Sequence, residues 1–264
     1  MLKKIYNRLY ADFLMPSRLG EYEKLIRIAL ENGYEHLTVY EFFLLVTENR
    51  LDPEKKYFIH RHDIDSDLKT TKAMAAIEKQ LGIKSSYYFR LSTLDYPLMK
   101  ALHAEGHEVS YHYEELATYC KKHKIKTPEG AKAVFPICAE LFAEKVKQLE
   151  SDLGFKFHTV ASHGDFVNRE LGIPNHRFVT PELLAKLNIA AETYDARILD
   201  NFSYTGSDCA YPKFYKPTNP FEAIEAGLPV VYLLSHPKHW KVNTGANIAE
   251  MYTRIKEGIF FKYL

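Results

Sequence analysis

The stretch Tyr57–Asp67, YFIHRHDIDSD, decides how the rest of the chain is read. It opens as a strand, because Tyr57, Phe58 and Ile59 are apolar and β-prone. It then runs into two histidines, an arginine and three acids spaced by two, Asp63, Asp65 and Asp67. Residues two apart in a strand project from one face. Folding does not call for Asp63 and Asp65 here, since Ser66 and Asp67 already serve to start a helix. Burying a pair of acids for structure alone is costly. The pair is therefore a candidate for chemistry, beside the plainer reading as turn formers.

The segments around it alternate. After Asp65, Thr70, Met74, Ile77 and Leu81 form one stripe of a helix that Gly82 closes, and SSYYFR returns as a strand. Helix and strand recur in YPLMKALHAEG with HEVSYH, and in TPEGAKAVF and ICAELFAEKVKQLESDLG with FHTVASH. They recur again in TPELLAKLN with IAAETYD, and in NPFEAIEAG with LPVVYLLSH, the most apolar strand. Upstream, residues 20–33 read as a helix stopped by Gly33. Such alternation predicts a mainly parallel α/β sheet, wound by right-handed crossovers into a barrel or an open doubly wound layer. Polar groups fall at the strands' C-terminal ends: Asp63 and Asp65, His112, His163 and His236. A (β/α) barrel converges those ends on one mouth, so the barrel is favoured. The expected layout is a single domain over 1–264 with an N-terminal helical extension at about 1–50.

Bulk properties narrow the partners. The chain has 264 residues, 46% of them hydrophobic, which is ample for a core. A net charge of +1 favours neither a nucleic-acid face nor an acidic tail. Its 19 tyrosines suit carbohydrate stacking, and equally a plain core. Cys120, Cys138 and Cys209 are odd in number and unpatterned, which suggests a reducing compartment. MLKKIYNRLYADFLMP is too interrupted by polar residues for a signal peptide, and no stretch reaches the length of a membrane span. A cytoplasmic protein without stable membrane insertion is expected.

A carboxylate and neutral imidazoles on separate strand ends are the donor set of a catalytic zinc site. Asp63 and Asp65 fit a division of labour between a metal ligand and a base, and His236 is the candidate acid. His112 in SYHYEE and His163 in SHGD also admit structural or solvent-facing readings. His62 points the other way along the strand from Asp63, and the remaining histidines read as structural or surface groups.

Four segments in order, RHDID (61–65), GHEVSYHYE (106–114), SHGD (162–165) and LLSHPKHW (233–240), resemble the polysaccharide deacetylase family. The closest variety is the short cytoplasmic form associated with surface-polysaccharide (O-antigen, lipopolysaccharide) gene clusters. The resemblance spans roughly residues 57–240. It implies a distorted (β/α)7 barrel and metal-dependent hydrolysis of an N-acetyl group on a sugar. By position it makes Asp63 the general base, Asp65 and His112 ligands of a divalent metal, by default zinc, and His236 the acid. Trp240 would line the sugar pocket. The family's second histidine, four residues after the first, is here Leu116, which cannot bind metal. His163 is the favoured substitute, with Glu114 second and Glu115 also nearby. An arginine that usually contacts the base near the third motif is missing from SHGD.

The leading expectation is an N-deacetylase acting on a nucleotide-linked or lipid-linked sugar. A hydrolase of another C–N amide bond on the same barrel is the second reading. A catalytically silent carbohydrate-binding relative is the third; retention of both Asp63 and His236 argues against it.

Overall fold

In a computed structural model, residues 2–263 are described. The chain begins with α1 (Leu2–Leu9), a π-helical turn (Tyr10–Leu14), α2 (Leu19–Glu31), β1 (Tyr34–Leu37), α3 (Val39–Thr47) and β2 (Lys56–Ile64). Next come α4 (Leu68–Leu81), β3 (Ser86–Phe89), α5 (Tyr96–Ala104), β4 (Glu108–Tyr113), α6 (Glu115–His123), α7 (Pro128–Ala133), α8 (Phe135–Leu153) and β5 (Thr159–Ser162). The last third holds α9 (Phe166–Leu171), α10 (Pro181–Leu187), β6 (Ala191–Glu192), α11 (Ala196–Leu199), β7 (Tyr204–Asp208) and β8 (Tyr215–Lys216). It ends with α12 (Pro220–Glu225), β9 (Val230–Ser235) and α13 (Thr244–Tyr263).

All strands join one sheet in the order β6-β5-β4-β3-β2-β9-β7-β8, with β1 and β3 sharing one edge of β2. Every ladder is parallel except that between β7 and β8. The sheet is curled. β2 and β6 are four strand spacings apart, about 19 Å if flat. Yet Arg61 Nη1 on β2 donates to Thr193 Oγ1, just beyond β6, at 2.9 Å. Among the described residues no ladder joins the two ends of the sheet.

The inner face of β2 carries Tyr57, Ile59, Arg61 and Asp63. Tyr57 and Ile59 pack with Tyr88, Ala161, Ala191 and Tyr232 from four other strands. Helix α3 closes the lower end of this interior by inserting Val39, Phe42 and Phe43 into the same cluster. It is set there by a capping box of Thr38 and Glu41, and by Val39 N–H donating to Ser86 Oγ at 2.8 Å. The outer face of β2 sends Phe58 under α2 and α12. His60 and His62 point the same way, as expected, and are wholly buried. There His62 Nε2 meets Glu78 Oε1 of α4 at 2.8 Å, and Tyr22, Ser85 and Tyr87 donate to the same carboxylate.

The mainly parallel α/β reading thus agrees with the structure. The N-terminal expectation is corrected: residues 34–37 form a strand of the sheet, and α3 is part of the core rather than of an appended helical segment. Strand IAAETYD shrinks to Ala191–Glu192. Strands β7 and β8 and helices α9, α11 and α13 had no counterpart in the periodicity. Among the described residues, no helix is long and apolar enough to cross a membrane.

Candidate functional site

Alternation along β2 delivers Arg61 and Asp63 side by side to the interior, and Asp65 follows just past the strand end. Arg61 grips Asp63 with two parallel bonds, Nε to Oδ1 at 2.7 Å and Nη2 to Oδ2 at 2.8 Å. Tyr232 OH lies 3.2 Å from Arg61 Nη1, so the guanidinium is tied to the neighbouring strand as well. Burial by itself would raise the Asp63 carboxyl, but the charges of Arg61 and His112 and the Arg61 hydrogen bonds outweigh it, and the group titrates below its ordinary value. Asp63 is therefore an ionised carboxylate of fixed orientation. Arg61 stands two residues upstream of the acid it holds.

Asp65 has one buried oxygen, Oδ1, with no hydrogen-bond partner. That oxygen lies 3.4 Å from His112 Nε2 and 3.6 Å from His163 Nε2. Each separation is close to the roughly 3.3 Å between two ligands of a tetrahedral ion. Among the described residues, the trios whose ligating atoms all lie within 4.8 Å of one another are His60, His62 and Glu78, then Asp208, His236 and His239, and Glu114, His163 and Asp165. The rings of His112 and His163 stand 5.3 Å apart and nearly perpendicular. His112 Nδ1 is 3.0 Å from the Ala161 carbonyl oxygen, which only accepts, so that bond places a proton on Nδ1 and turns Nε2 toward Asp63 and Asp65. Burial would raise the Asp65 carboxyl, but the facing imidazoles hold it well below the usual range.

Glu114 takes a different place. Its Oε2 lies 3.1 Å from His163 Nδ1, the nitrogen turned away from Asp65, though off the direction of a straight hydrogen bond. Arg90 holds the same carboxylate at 2.7 Å. Burial opposes ionisation of Glu114, yet His163 and Arg90 pull its carboxyl down to about 2. Glu114 thus lies against the far side of His163 and is itself fixed by Arg90. Asp165, also near His163, caps α9 and pairs with Lys121 at 2.9 Å. Glu115 accepts instead from Tyr111 OH at 2.7 Å.

His236 follows the end of β9. Its Nδ1 lies 2.7 Å from Asp208 Oδ1, and its backbone N–H donates to Asp208 Oδ2 at 2.7 Å. His239 Nδ1 approaches the same Oδ1 at 3.0 Å. Burial would lower the His236 imidazole, but Asp208, reinforced by Asp65 and Asp63, raises it to about 9. It is a cation at neutral pH.

The expectation for Trp240 is overturned. Its side chain is fully buried, edge-on to Tyr22 at 5.1 Å and 4.9 Å from the Arg18 guanidinium, where no ligand reaches it. The aromatic face near the site is Tyr194, 45% exposed, with Arg61 5.4 Å from its ring. Tyr194 lines a cleft of about 450 Å³ together with His163, Arg169 and His176. Arg61, Arg90 and Asp208 also escaped the reading of the sequence. The first two had a usable signal, an arginine alternating with Asp63 and an arginine ending SSYYFR. Asp208 had none, because β7 was unread.

The geometry therefore gathers Asp63, Asp65, His112, His163 and His236 at one end of the sheet, beside an adjoining cleft. Compared with known proteins, the chain matches no family model and no curated protein.

Proposed function

We propose that the protein is a metal-dependent hydrolase that removes an N-acetyl group from a sugar, acting on a nucleotide-linked or lipid-linked precursor of a surface polysaccharide in the cytoplasm. The carrying observation is the unpartnered Asp65 Oδ1 set between His112 Nε2 and His163 Nε2, with Asp63 Oδ2 3.3 Å from the same His112 nitrogen. In this reading the curled sheet is a distorted (β/α)7 barrel and Asp65, His112 and His163 hold a divalent metal, zinc by donor type. Such an ion, when bound, acidifies water and polarises an amide carbonyl.

The chain's own groups account for the protons. Asp63, held ionised by Arg61, takes the proton of the water that adds to the acetyl carbon. Arg61 also prevents Asp63 from swinging away to compete as a ligand. His236, held charged by Asp208, gives a proton to the nitrogen as the C–N bond breaks, so acetate and a free amino sugar leave. Tyr194 and the cleft offer the sugar a stacking face and room beside His163.

Metal content and acetate release test this together. Asp65→Asn, His112→Ala and His163→Ala each empty the site, whereas Glu114→Gln weakens binding by about 10–100-fold, the usual loss for an outer partner. Asp63→Asn keeps metal and loses about 10²–10⁴ in turnover of an N-acetyl sugar. Full metal retention by His163→Ala would remove the ligand assignment. Bound metal without acetate from any nucleotide- or lipid-linked N-acetyl sugar would transfer the site to another amide.

A further inference from the structure

Among the described residues, seventeen large hydrophobic side chains are well exposed; five lie in residues 2–14 and seven in residues 248–263. The two segments touch, with the turn at Tyr10–Leu14 packing on α13 and Asn247 Nδ2 donating to the Asp12 carbonyl at 2.7 Å. On α1, Leu2, Ile5, Tyr6 and Leu9 follow the i, i+3, i+4, i+7 rule of one helix face. They are 50–83% exposed, and α1 buries no residue at all. On α13, Ile248, Met251, Tyr252, Ile255 and Ile259 form a second such stripe, 42–68% exposed. Folding does not explain two ordered apolar stripes left in water.

The charge on α1 selects the occupant. The helix LKKIYNRL contains Lys3, Lys4 and Arg8 and no acid. Arg8 is paired with Asp12, and Lys3 and Lys4 are exposed. A second copy docking face to face would set these lysines against their equivalents. An anionic lipid surface complements them and accepts the apolar stripe below the headgroups, where tyrosines are also favoured. We infer that α1 and α13 dock the protein on an anionic membrane surface, lying on it rather than crossing it. The docking face borders the candidate site, since Glu250 of α13 pairs with Lys238 at 2.7 Å and reaches Ser66 at 3.4 Å. The inference does not depend on the chemistry proposed for that site.

The test is co-sedimentation of the full chain with vesicles of phosphatidylcholine mixed with phosphatidylglycerol, and of phosphatidylcholine alone. Binding is expected with the anionic vesicles, weakened by high salt and nearly absent with the neutral ones. A surface lysine contributes about fivefold to such partitioning, so Lys3→Gln with Lys4→Gln should lose about 30-fold. Ile5→Ser with Leu9→Ser should release the protein while leaving circular dichroism unchanged, because α1 contributes nothing to the core. Failure to sediment with anionic vesicles overturns the inference, as does equal binding to both kinds. A dimer in sedimentation equilibrium that the Ile5 and Leu9 changes dissolve would give the face to a second copy and overturn it too.

Discussion

Arg61 does at least two things with one side chain. It keeps Asp63 charged in a dry interior, and it fixes which way the carboxylate faces. A buried pair of this kind loses about 3–5 kcal/mol when one partner is removed, so its value lies in placement rather than in net stability. The pairing was open to sequence reading, because the alternation that puts Asp63 and Asp65 on one side puts Arg61 there as well. Asp208 was not: YTGSD has no apolar alternation, and β7 is held by its ladder to β9 rather than by its own propensity. Asp208 has a measurable consequence at His236. In the metal-free protein, nuclear magnetic resonance should find the His236 ring titrating at about 9. Asp208→Asn should return it toward the ordinary value near 6.5. A raised folded value means that the stabilisation is complete below about pH 6.5 and is lost as pH rises through about 9. A parent ring titrating at or below 6.5 would remove both the pairing and the acid role.

Among the elements, strand β2 was the most readable and α3 the least well placed. β2 declares itself because both of its faces are buried, which leaves a run of β-prone and polar core residues with a break only at Asp65–Ser66. α3 shows a dense apolar run, VYEFFLLV, that fits a helix on any surface of the sheet. What sends it into the lower end of the interior is tertiary: Ser86 and Glu108, at the starts of β3 and β4, accept from Val39 N–H and Tyr40 N–H. Those bonds join residues 47 and 68 positions apart, beyond the reach of any local pattern. α13 is unreadable for the opposite reason, since its apolar residues face outward and show no partner. The plug has a mechanical role, because Phe42 stacks on Phe202 at 5.3 Å and Phe202 on Tyr232 at 4.5 Å, next to the Arg61 contact. Phe42→Ala should cost about 3–5 kcal/mol in urea unfolding, as for other buried phenylalanines. Metal stoichiometry should be unchanged, because every proposed ligand sits at the opposite end of the strands. A loss under about 1 kcal/mol would mean that α3 merely covers the sheet.

Taken as one molecule, the protein carries an unusual load of buried ionisable groups, and they pull its stability in opposite directions with pH. Asp63, Asp65, Glu78 and Asp208 all sit below their ordinary range, because cationic or hydrogen-bonding partners outweigh their burial. Depressed carboxyls stabilise the fold above the unfolded value and lose that contribution as pH falls through the folded one. His36 adds to the acid side, since burial lowers it to about 4 and the folded state must be protonated there at a cost. Glu115 and Glu192 act the other way. Burial, the largest influence on each, raises them to about 7 in spite of their hydrogen bonds. A raised folded value means stability that is present below the unfolded 4.5 and lost as pH rises through about 7. On the alkaline side the metal-free protein should therefore lose stability first through Glu115 and Glu192, between about pH 5 and 7, and then through His236 near 9. Glu192 is the place to test this, because burial raises it although both of its oxygens accept hydrogen bonds. Its Oε1 accepts from Ser162 N–H at 2.9 Å and its Oε2 from Tyr194 N–H at 2.5 Å. Glu192→Gln cannot ionise; its amide N–H meets a backbone donor, so the variant starts from lower stability and the test is the slope with pH. Thermal unfolding should show the variant losing less stability than the parent between pH 5 and 8. The gain should approach an order of 3 kcal/mol at most, the worth of a two-unit shift. If the two unfolding curves stay parallel across that range, Glu192 is not a proton-binding group of the folded state and the alkaline limb belongs to Glu115 and His236.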